Sequence, residues 1–393
     1  MGEWKKYRLA DVVSLVIDHR GKTPKKLGGD WAETGYRALS AKSVKTRQIV
    51  NEDAIRCVDE EMYRRWMKDE IQRGDILVTS EAPYGEVYYW NSDEKIVLSQ
   101  RLFGLRVKPE FDSAFVAHYM TSQAFKSEMD GRATGTTVFG LRQPELLDCK
   151  LWVPDLPTQR CIAAVLGALD DKIEVNRKIC ENLEAQAQAL FKAWFVDFEP
   201  FGGKRPDGWK EVSLLDVVEL FDMKRIPLSS REREKRKGQF PYYGATSIMD
   251  YVDDYLFDGV YLLMGEDGSV AREDGIPYLQ YISGKFWVNN HAHIMQGRNG
   301  YSTEMLWCAL SQADISTFVT GAVQPKLSQT NMQMIKVPIL AMSEMCRFGK
   351  SVQPMFDLLR TKRAESRALA AMRDALLPKL MSGELAVEKV EGF

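Results

Sequence analysis

No run of about 18 apolar residues occurs in this chain of 393 residues, so no membrane-spanning helix is expected. The opening residues, Met1-Gly2-Glu3-Trp4-Lys5-Lys6-Tyr7, hold no apolar stretch of the secretory kind. The positions after Gly2 also lack the hydroxyl residue of a myristoylation signal. A cytoplasmic location is the expectation. Cysteine is sparse: the six residues at 57, 149, 161, 180, 308 and 346 form no Cys-x-x-Cys pair. Four histidines complete no zinc spacing, so reduced, free thiols are expected. An excess of one charge is missing too, since 53 Lys and Arg face 55 Asp and Glu. A polyanion would have to be bound by a local cluster, or by a partner's charge.

Signatures of catalysis are also lacking. There is no G-x-x-x-x-G-K-[S/T] loop to cradle phosphates and no G-x-S-x-G elbow. The Asn/Asp-Pro-Pro-aromatic loop that holds a target amine for methylation is missing as well. Pro206-Asp207 followed by Asp222-Met223-Lys224 fits a permissive nuclease pattern of two carboxylates and a lysine around Mg²⁺. That pattern is short and common by chance. His291 and His293 alternate on an expected strand and so share a face, but no Cys or paired carboxylate stands near them in sequence.

What the chain does have is a duplication. Trp4-Lys5-Lys6-Tyr7-Arg8-Leu9-Ala10-Asp11-Val12-Val13 returns as Trp209-Lys210-Glu211-Val212-Ser213-Leu214-Leu215-Asp216-Val217-Val218. Gly74-Asp75-Ile76-Leu77-Val78 resembles Gly259-Val260-Tyr261-Leu262-Leu263, and both runs enter loops holding Gly and an acid. Thr134-Gly135, Leu141 and Val153-Pro154 return as Thr320-Gly321, Leu327 and Val337-Pro338. The matches keep their order while their offset shrinks from 205 to about 186 residues, so the second copy has lost residues in its globular part.

Each copy ends in a helix. From Thr158 to Val196 there is no proline, and Leu166, Leu169, Ile173, Asn176, Cys180, Leu183, Ala187, Leu190 and Trp194 recur at the alternating three-four spacing of a coiled-coil seam. The second copy gives Val352, Met355, Leu359, Lys362, Ser366, Leu369, Arg373, Leu376 and Leu380, a more polar stripe. The two helices are expected to pair with each other, antiparallel. Aromatics crowd the end of the first: Phe191, Trp194, Phe195, Phe198 and Phe201. They either cap the core of the second globule or form a protein interface. Phe191, Trp194, Phe195 and Phe198 are the candidate partner-binding set.

With Trp194-Phe195-Val196-Asp197-Phe198, Pro206-Asp207-Gly208-Trp209, Trp287-Val288-Asn289-Asn290-His291-Ala292-His293 and Leu376-Leu377-Pro378-Lys379-Leu380-Met381-Ser382-Gly383-Glu384-Leu385 in this order, the chain resembles the specificity subunits of type I restriction–modification systems. The resemblance covers essentially the whole chain. It implies an α+β fold: two mixed α/β target recognition domains, each followed by a long helix, with the helices paired in pseudo-two-fold symmetry. The divisions expected are 1–156 and 204–340 for the recognition domains, 157–203 for the first helix and linker, and 341–393 for the second helix and tail. It further implies a non-catalytic subunit that reads a bipartite, asymmetric sequence in double-stranded DNA. Two methyltransferase subunits and nuclease–translocase subunits would be its partners. This chain would hold no cofactor; S-adenosylmethionine, ATP and Mg²⁺ would sit on the partners. About 38 helical residues span about 57 Å, more than the 34–36 Å of one DNA turn, which suits two half-sites around an unread spacer. A nuclease or modification enzyme on a duplicated scaffold, and a protein-binding coiled-coil adaptor, are the alternatives.

Candidate DNA contacts follow from side-chain chemistry. In the first globule they are Lys22, Lys25 and Lys26 in a basic loop, and Arg132, Thr134 and Thr136 around a Thr-Gly turn. In the second they are Lys224, Arg225, Arg231, Arg233, Lys235, Arg236 and Lys237, with Tyr243 beside them and Lys326 near the second Thr-Gly turn. The 224–237 stretch holds seven cations against Glu232 and Glu234, a local charge of +5 in a nearly neutral chain.

Overall fold

A computed structural model describes residues 4–135, 139–321 and 323–387. The chain divides into two compact units: Met1–Glu174 with Ser366–Phe393, and Val175–Glu365. The division cuts each long helix in two. It therefore differs from a division in chain order, because each helix packs its two halves into different cores.

Both units are built to one plan. In unit 1 the strand Lys5–Arg8 pairs antiparallel with Lys150–Val153, and in unit 2 Lys210–Ser213 pairs with Lys336–Ile339 in the same way. A one-turn helix follows the first strand each time, Leu9–Val12 and Leu214–Val217, its first amide bonded to the carbonyl of Cys149 or Ile335. The main sheet of unit 1 runs in the order Val13–Asp18, Leu102–Val107, Ile76–Ser80, Tyr84–Tyr89, all antiparallel. That of unit 2 runs Val218–Leu220, Ala292–Gly297, Phe257–Gly265, Leu279–Val288, Lys237–Tyr243, Ile248–Val252. The lost residues fall where the units differ. Unit 1 carries a second core around Trp66, Leu39 and Leu98, under the small sheet formed by Cys57–Val58, Tyr36–Leu39 and Val97–Leu98. Unit 2 has in that place the hairpin Lys237–Tyr243 and Ile248–Val252.

The long helices are Leu156–Phe195 and Met342–Met381. None of the expected seam positions is fully exposed, which is the burial a 3.5-residue repeat demands. Pairing is antiparallel. In unit 2, Asn176 donates to Glu365 at 3.1 Å while Cys180, one turn on, meets the Leu359 carbonyl at 3.8 Å. In unit 1, Arg373 donates to Asp170 at 2.7 Å. The polar seam residues thus have charged partners: Lys362 turns to Glu365 at 2.8 Å and Arg373 to Asp170. The six cysteines are free thiols, and among the described residues no helix is long and apolar enough to cross a membrane.

Candidate nucleic-acid interface

Most of the expected cations are committed to the protein itself. In the 224–237 stretch, Arg225 is 14% exposed and lies against Glu266 at 2.5 Å and the Ala292 carbonyl at 2.8 Å. Arg233 pairs with Asp250 at 3.3 Å and covers the Tyr242 ring, while Lys237 reaches the same carboxylate at 2.7 Å. Arg236 pairs with Asp253 at 2.9 Å and lies over Trp287. Four of the seven cations are therefore committed to acids of unit 2: Arg225 to the turn at Glu266, and Arg233, Arg236 and Lys237 to acids on or just after the hairpin strand Ile248–Val252. The acids that absorb them are distant in sequence, which is why the segment reads as a bare +5. Lys224, Arg231 and Lys235 remain exposed without an ion pair. Tyr243 packs its ring edge on Phe286 and is half-buried.

Unit 1 repeats the lesson. Lys22 turns inward and donates to the Trp66 carbonyl at 3.0 Å, and its burial lowers its proton affinity, so it is a structural cation. Lys25 is exposed; Lys26 is exposed as well and donates to the Gly21 carbonyl. Arg132 binds Glu128 and the Asp148 carbonyl beneath the Thr-Gly turn and does not face outward. Thr134 is exposed in that turn, and Thr136 lies outside the described residues. Lys326 is half-exposed, 3.8 Å from Glu266.

The two Thr-Gly turns rest on one backbone frame. In unit 1, Thr134 and Gly140 exchange amide–carbonyl bonds of 3.0 and 2.9 Å, the Leu141 amide donates to Ser80, and the Ser80 amide to Arg101, both at 2.8 Å. In unit 2, Thr320 and Lys326 exchange bonds of 2.9 and 2.7 Å, Leu327 donates to Glu266, and Glu266 to His291, both at 2.9 Å. Position for position, Ser80 corresponds to Glu266, Glu81 to Asp267, and Arg101 to His291. Matching Gly74 to Gly259 by sequence slips the register by one residue and aligns Glu81 with Glu266 instead. Strand pairing also sets Asp18 opposite Phe103 and, in unit 2, brings Asp222 to His293.

Beside this frame unit 1 has an open cleft of about 520 Å³, walled by Arg20, Glu81, Arg101, Thr134 and Arg142 among others. Arg101 is half-exposed and meets Glu81 at 2.8 Å. Its backbone adopts φ +62°, a region uncommon for side-chain-bearing residues. Arg20 is held by Asp18 at 2.7 Å and lies over Phe103. In unit 2 the equivalent place is filled. Asp222, Glu266 and His293 converge closely enough to suggest a metal site. Their ligand atoms are already used. His293 Nδ1 faces Asp222 at 2.7 Å and Nε2 faces the Leu327 carbonyl at 2.7 Å, while Ile294 and Gln329 donate to the two Asp222 oxygens. Burial alone would raise the Asp222 proton affinity, but His293, Ile294 and Gln329 overcome it and hold the carboxyl below its usual range. The cluster is a closed hydrogen-bond node. It leaves the Asp222 carboxylate of the nuclease-like pattern no open position, and Asp207 is exposed in the linker. His291, expected to share a face with His293, precedes the strand and pairs with Asp267 at 3.5 Å instead.

Phe191, Trp194 and Phe195 are no partner-facing set: they are 4%, 5% and 2% exposed in the core of unit 2. Phe195 and Phe348 meet edge to face at 5.0 Å. Phe198 is half-buried and packs on Trp209. Arg101 and Arg142 give no signal along the chain because each stands outside any basic cluster, whereas Arg20 belongs to the basic loop of Lys22, Lys25 and Lys26 but is not among its candidates. The matching bonds from the Ser80 amide to the Arg101 carbonyl and from the Glu266 amide to the His291 carbonyl place Arg101 and His291 at one position of the frame.

A duplicated α+β scaffold, each copy presenting polar side chains from a Thr-Gly turn and feeding one long helix, is the architecture of a recognition subunit. The chain belongs to the family described as the type I restriction modification DNA specificity domain, whose model matches residues 1–185 and 206–351. It is a specificity subunit. It is similar to the type I restriction enzyme MjaIX specificity subunit of Methanocaldococcus jannaschii, 25% identical over 81% of this chain and 79% of that one. Over 34% of each chain it is 34% identical to a putative type I restriction enzyme specificity subunit of Haemophilus influenzae. The fold matches a solved type I restriction–modification S subunit from M. genitalium with a TM-score of 0.54, at 19% identity, over 97% of this chain and 96% of that one.

Proposed function

We propose that this specificity subunit reads a bipartite, asymmetric target in double-stranded DNA, one half by each unit, and carries the reading to methyltransferase and nuclease–translocase subunits. The observation that carries this is the duplicated frame: one backbone scaffold presents different side chains in each unit, as two different half-sites require. The chain is the non-catalytic member. S-adenosylmethionine, ATP and Mg²⁺ belong to the partner subunits, and the assembly works in the cytoplasm. With the aromatic cluster buried, docking falls to apolar side chains left exposed on the long helices, among them Val165 and Met372 in unit 1 and Val175 and Leu358 in unit 2. Exposed apolar groups of this kind mark interaction surfaces where they lie together.

The test is co-expression with a methyltransferase subunit of the same system, followed by methylation mapping of host DNA. The expected result is one bipartite motif. Exchanging the globular residues of one unit for those of a relative should change one half only. A continuous motif, or none with the complex assembled, would overturn the reading.

A further inference from the structure

Resting on that reading, we infer that the position held by Arg101 in unit 1 and His291 in unit 2 is a base-reading position, with Arg142 completing the guanine-selective cleft in unit 1. Three observations converge on it. The first is availability. Arg37 and Arg106 of unit 1 are each mostly buried and held by two hydrogen bonds to one carboxylate as part of the scaffold. Arg142, at the start of the helix Gln143–Leu147, is exposed without an acidic partner, and Arg101 has only Glu81 on its open side. Both line the same cleft.

The second is rigidity. Arg101 is fixed through its carbonyl to Ser80, Ser80 to Leu141, and Gly140 to Thr134, so the guanidinium projects from backbone on which no loop motion is needed. The positive φ at Arg101 is a conformation that the surrounding bonds must enforce, and such strain concentrates at working positions. Glu81 at 2.8 Å orients the fork without burying it. An arginine held this way matches the O6 and N7 acceptors of guanine in the major groove by two parallel hydrogen bonds.

The third is the repeat. His291 stands at the matching point of the second frame, its carbonyl bonded to the Glu266 amide as Arg101's is to Ser80. It also keeps an acidic neighbour in the matching place, Asp267 at 3.5 Å for Glu81. The scaffold is retained and the reading side chain is exchanged. A protein whose two halves must recognise different bases on one architecture requires that pattern.

The test uses the full chain assembled with its methyltransferase subunit, comparing wild type with Arg101→Ala, Arg101→Lys, Arg142→Ala and His291→Ala. Readouts are the methylated motif and binding to cognate and scrambled duplexes. Arg101→Ala should lose or blur one position in one half of the motif and weaken cognate binding about 5- to 150-fold, the worth of one good bidentate base contact. Scrambled-duplex binding should change little. Arg101→Lys keeps the charge without the fork and should blur the same position. Arg142→Ala should act on the same half, and His291→Ala on the other half only. An unchanged motif in Arg101→Ala and Arg142→Ala would overturn the inference. So would an equal fall on every duplex, the mark of a phosphate contact. If wild type itself gives no bipartite motif, the proposed function fails rather than this assignment.

Discussion

Asp170 sits on the first long helix and receives three groups. Arg373 of the second helix approaches to 2.7 Å, Arg47 to 3.3 Å and His118 to 3.8 Å. Arg47 and Arg373 are 18% and 13% exposed, so neither charge can turn readily to water. Removing the carboxylate leaves Arg47 with no acid in ion-pair contact among the described residues and Arg373 with only the exposed Asp374 at 2.8 Å. We expect Asp170→Ala to destabilise unit 1 by about 3–5 kcal/mol in denaturant unfolding, since a buried pair broken from one side leaves its partner uncompensated. A loss under about 1 kcal/mol would mean that water replaces the carboxylate. His118 gives the same site a pH dependence. Burial, with Arg47 and Arg373 nearby, depresses its proton affinity to about 4, against the opposing pull of Asp170. The folded value lies below the unfolded one of about 6.5, so the unfolded chain binds the extra proton between them. Stability is therefore full above about pH 6.5 and falls as pH drops towards 4, by on the order of 3 kcal/mol. Melting curves of wild type and His118→Gln at pH 7.5 and 5 should show that part of the loss in wild type alone.

Among elements, the paired helices were the most legible from sequence, because a three-four repeat over nine positions can satisfy only one kind of packing. The strands of the first repeat were legible because Trp, Leu and the Val pair recur together. The one-residue slip at Gly74 and Gly259 arose because the matched runs Ile76-Leu77-Val78 and Val260-Tyr261-Leu262-Leu263 carry no polar alternation to fix register. The aromatic helix end was ambiguous for a related reason: burial against Phe348 involves residues about 150 positions away in sequence. Asn176 offers a test of the seam. It is fully buried, its amide donates to Glu365, and its Oδ1 has no hydrogen-bond partner. An unmatched buried acceptor costs about 1–3 kcal/mol. Asn176→Leu should therefore raise the melting temperature by a few degrees, at about 2–4 °C per kcal/mol for a body of this size. A lowered melting temperature would show that the Asn176–Glu365 bond contributes more than the unmatched oxygen costs.

At the scale of the whole molecule, the near-neutral charge proves more informative than the basic segment. Along the chain the 224–237 stretch resembles a DNA-binding patch. In the fold, Asp222, Glu266, Asp250 and Asp253 meet four of its cations. Sequence spacing could not reveal this, because the acids arrive from neighbouring strands and turns. Among the described residues, the exposed candidate cations left without an acidic partner, with Arg142 of the cleft, are Lys25, Lys26, Arg142, Lys224, Arg231 and Lys235. If each released one condensed counterion, the free chain would show a slope of about −5 for log K against log salt. That is shallow for a protein engaging two half-sites. On the proposed function, cations on the partner subunits would then supply most of the phosphate contacts, while this chain supplies the choice of bases. The prediction is a distinctly steeper slope for the assembled complex than for the chain alone on one duplex, measured by fluorescence anisotropy between 50 and 200 mM salt. A free-chain slope near −10 would show instead that the ion pairs of the hairpin open on DNA and release Arg233, Arg236 and Lys237 to the backbone.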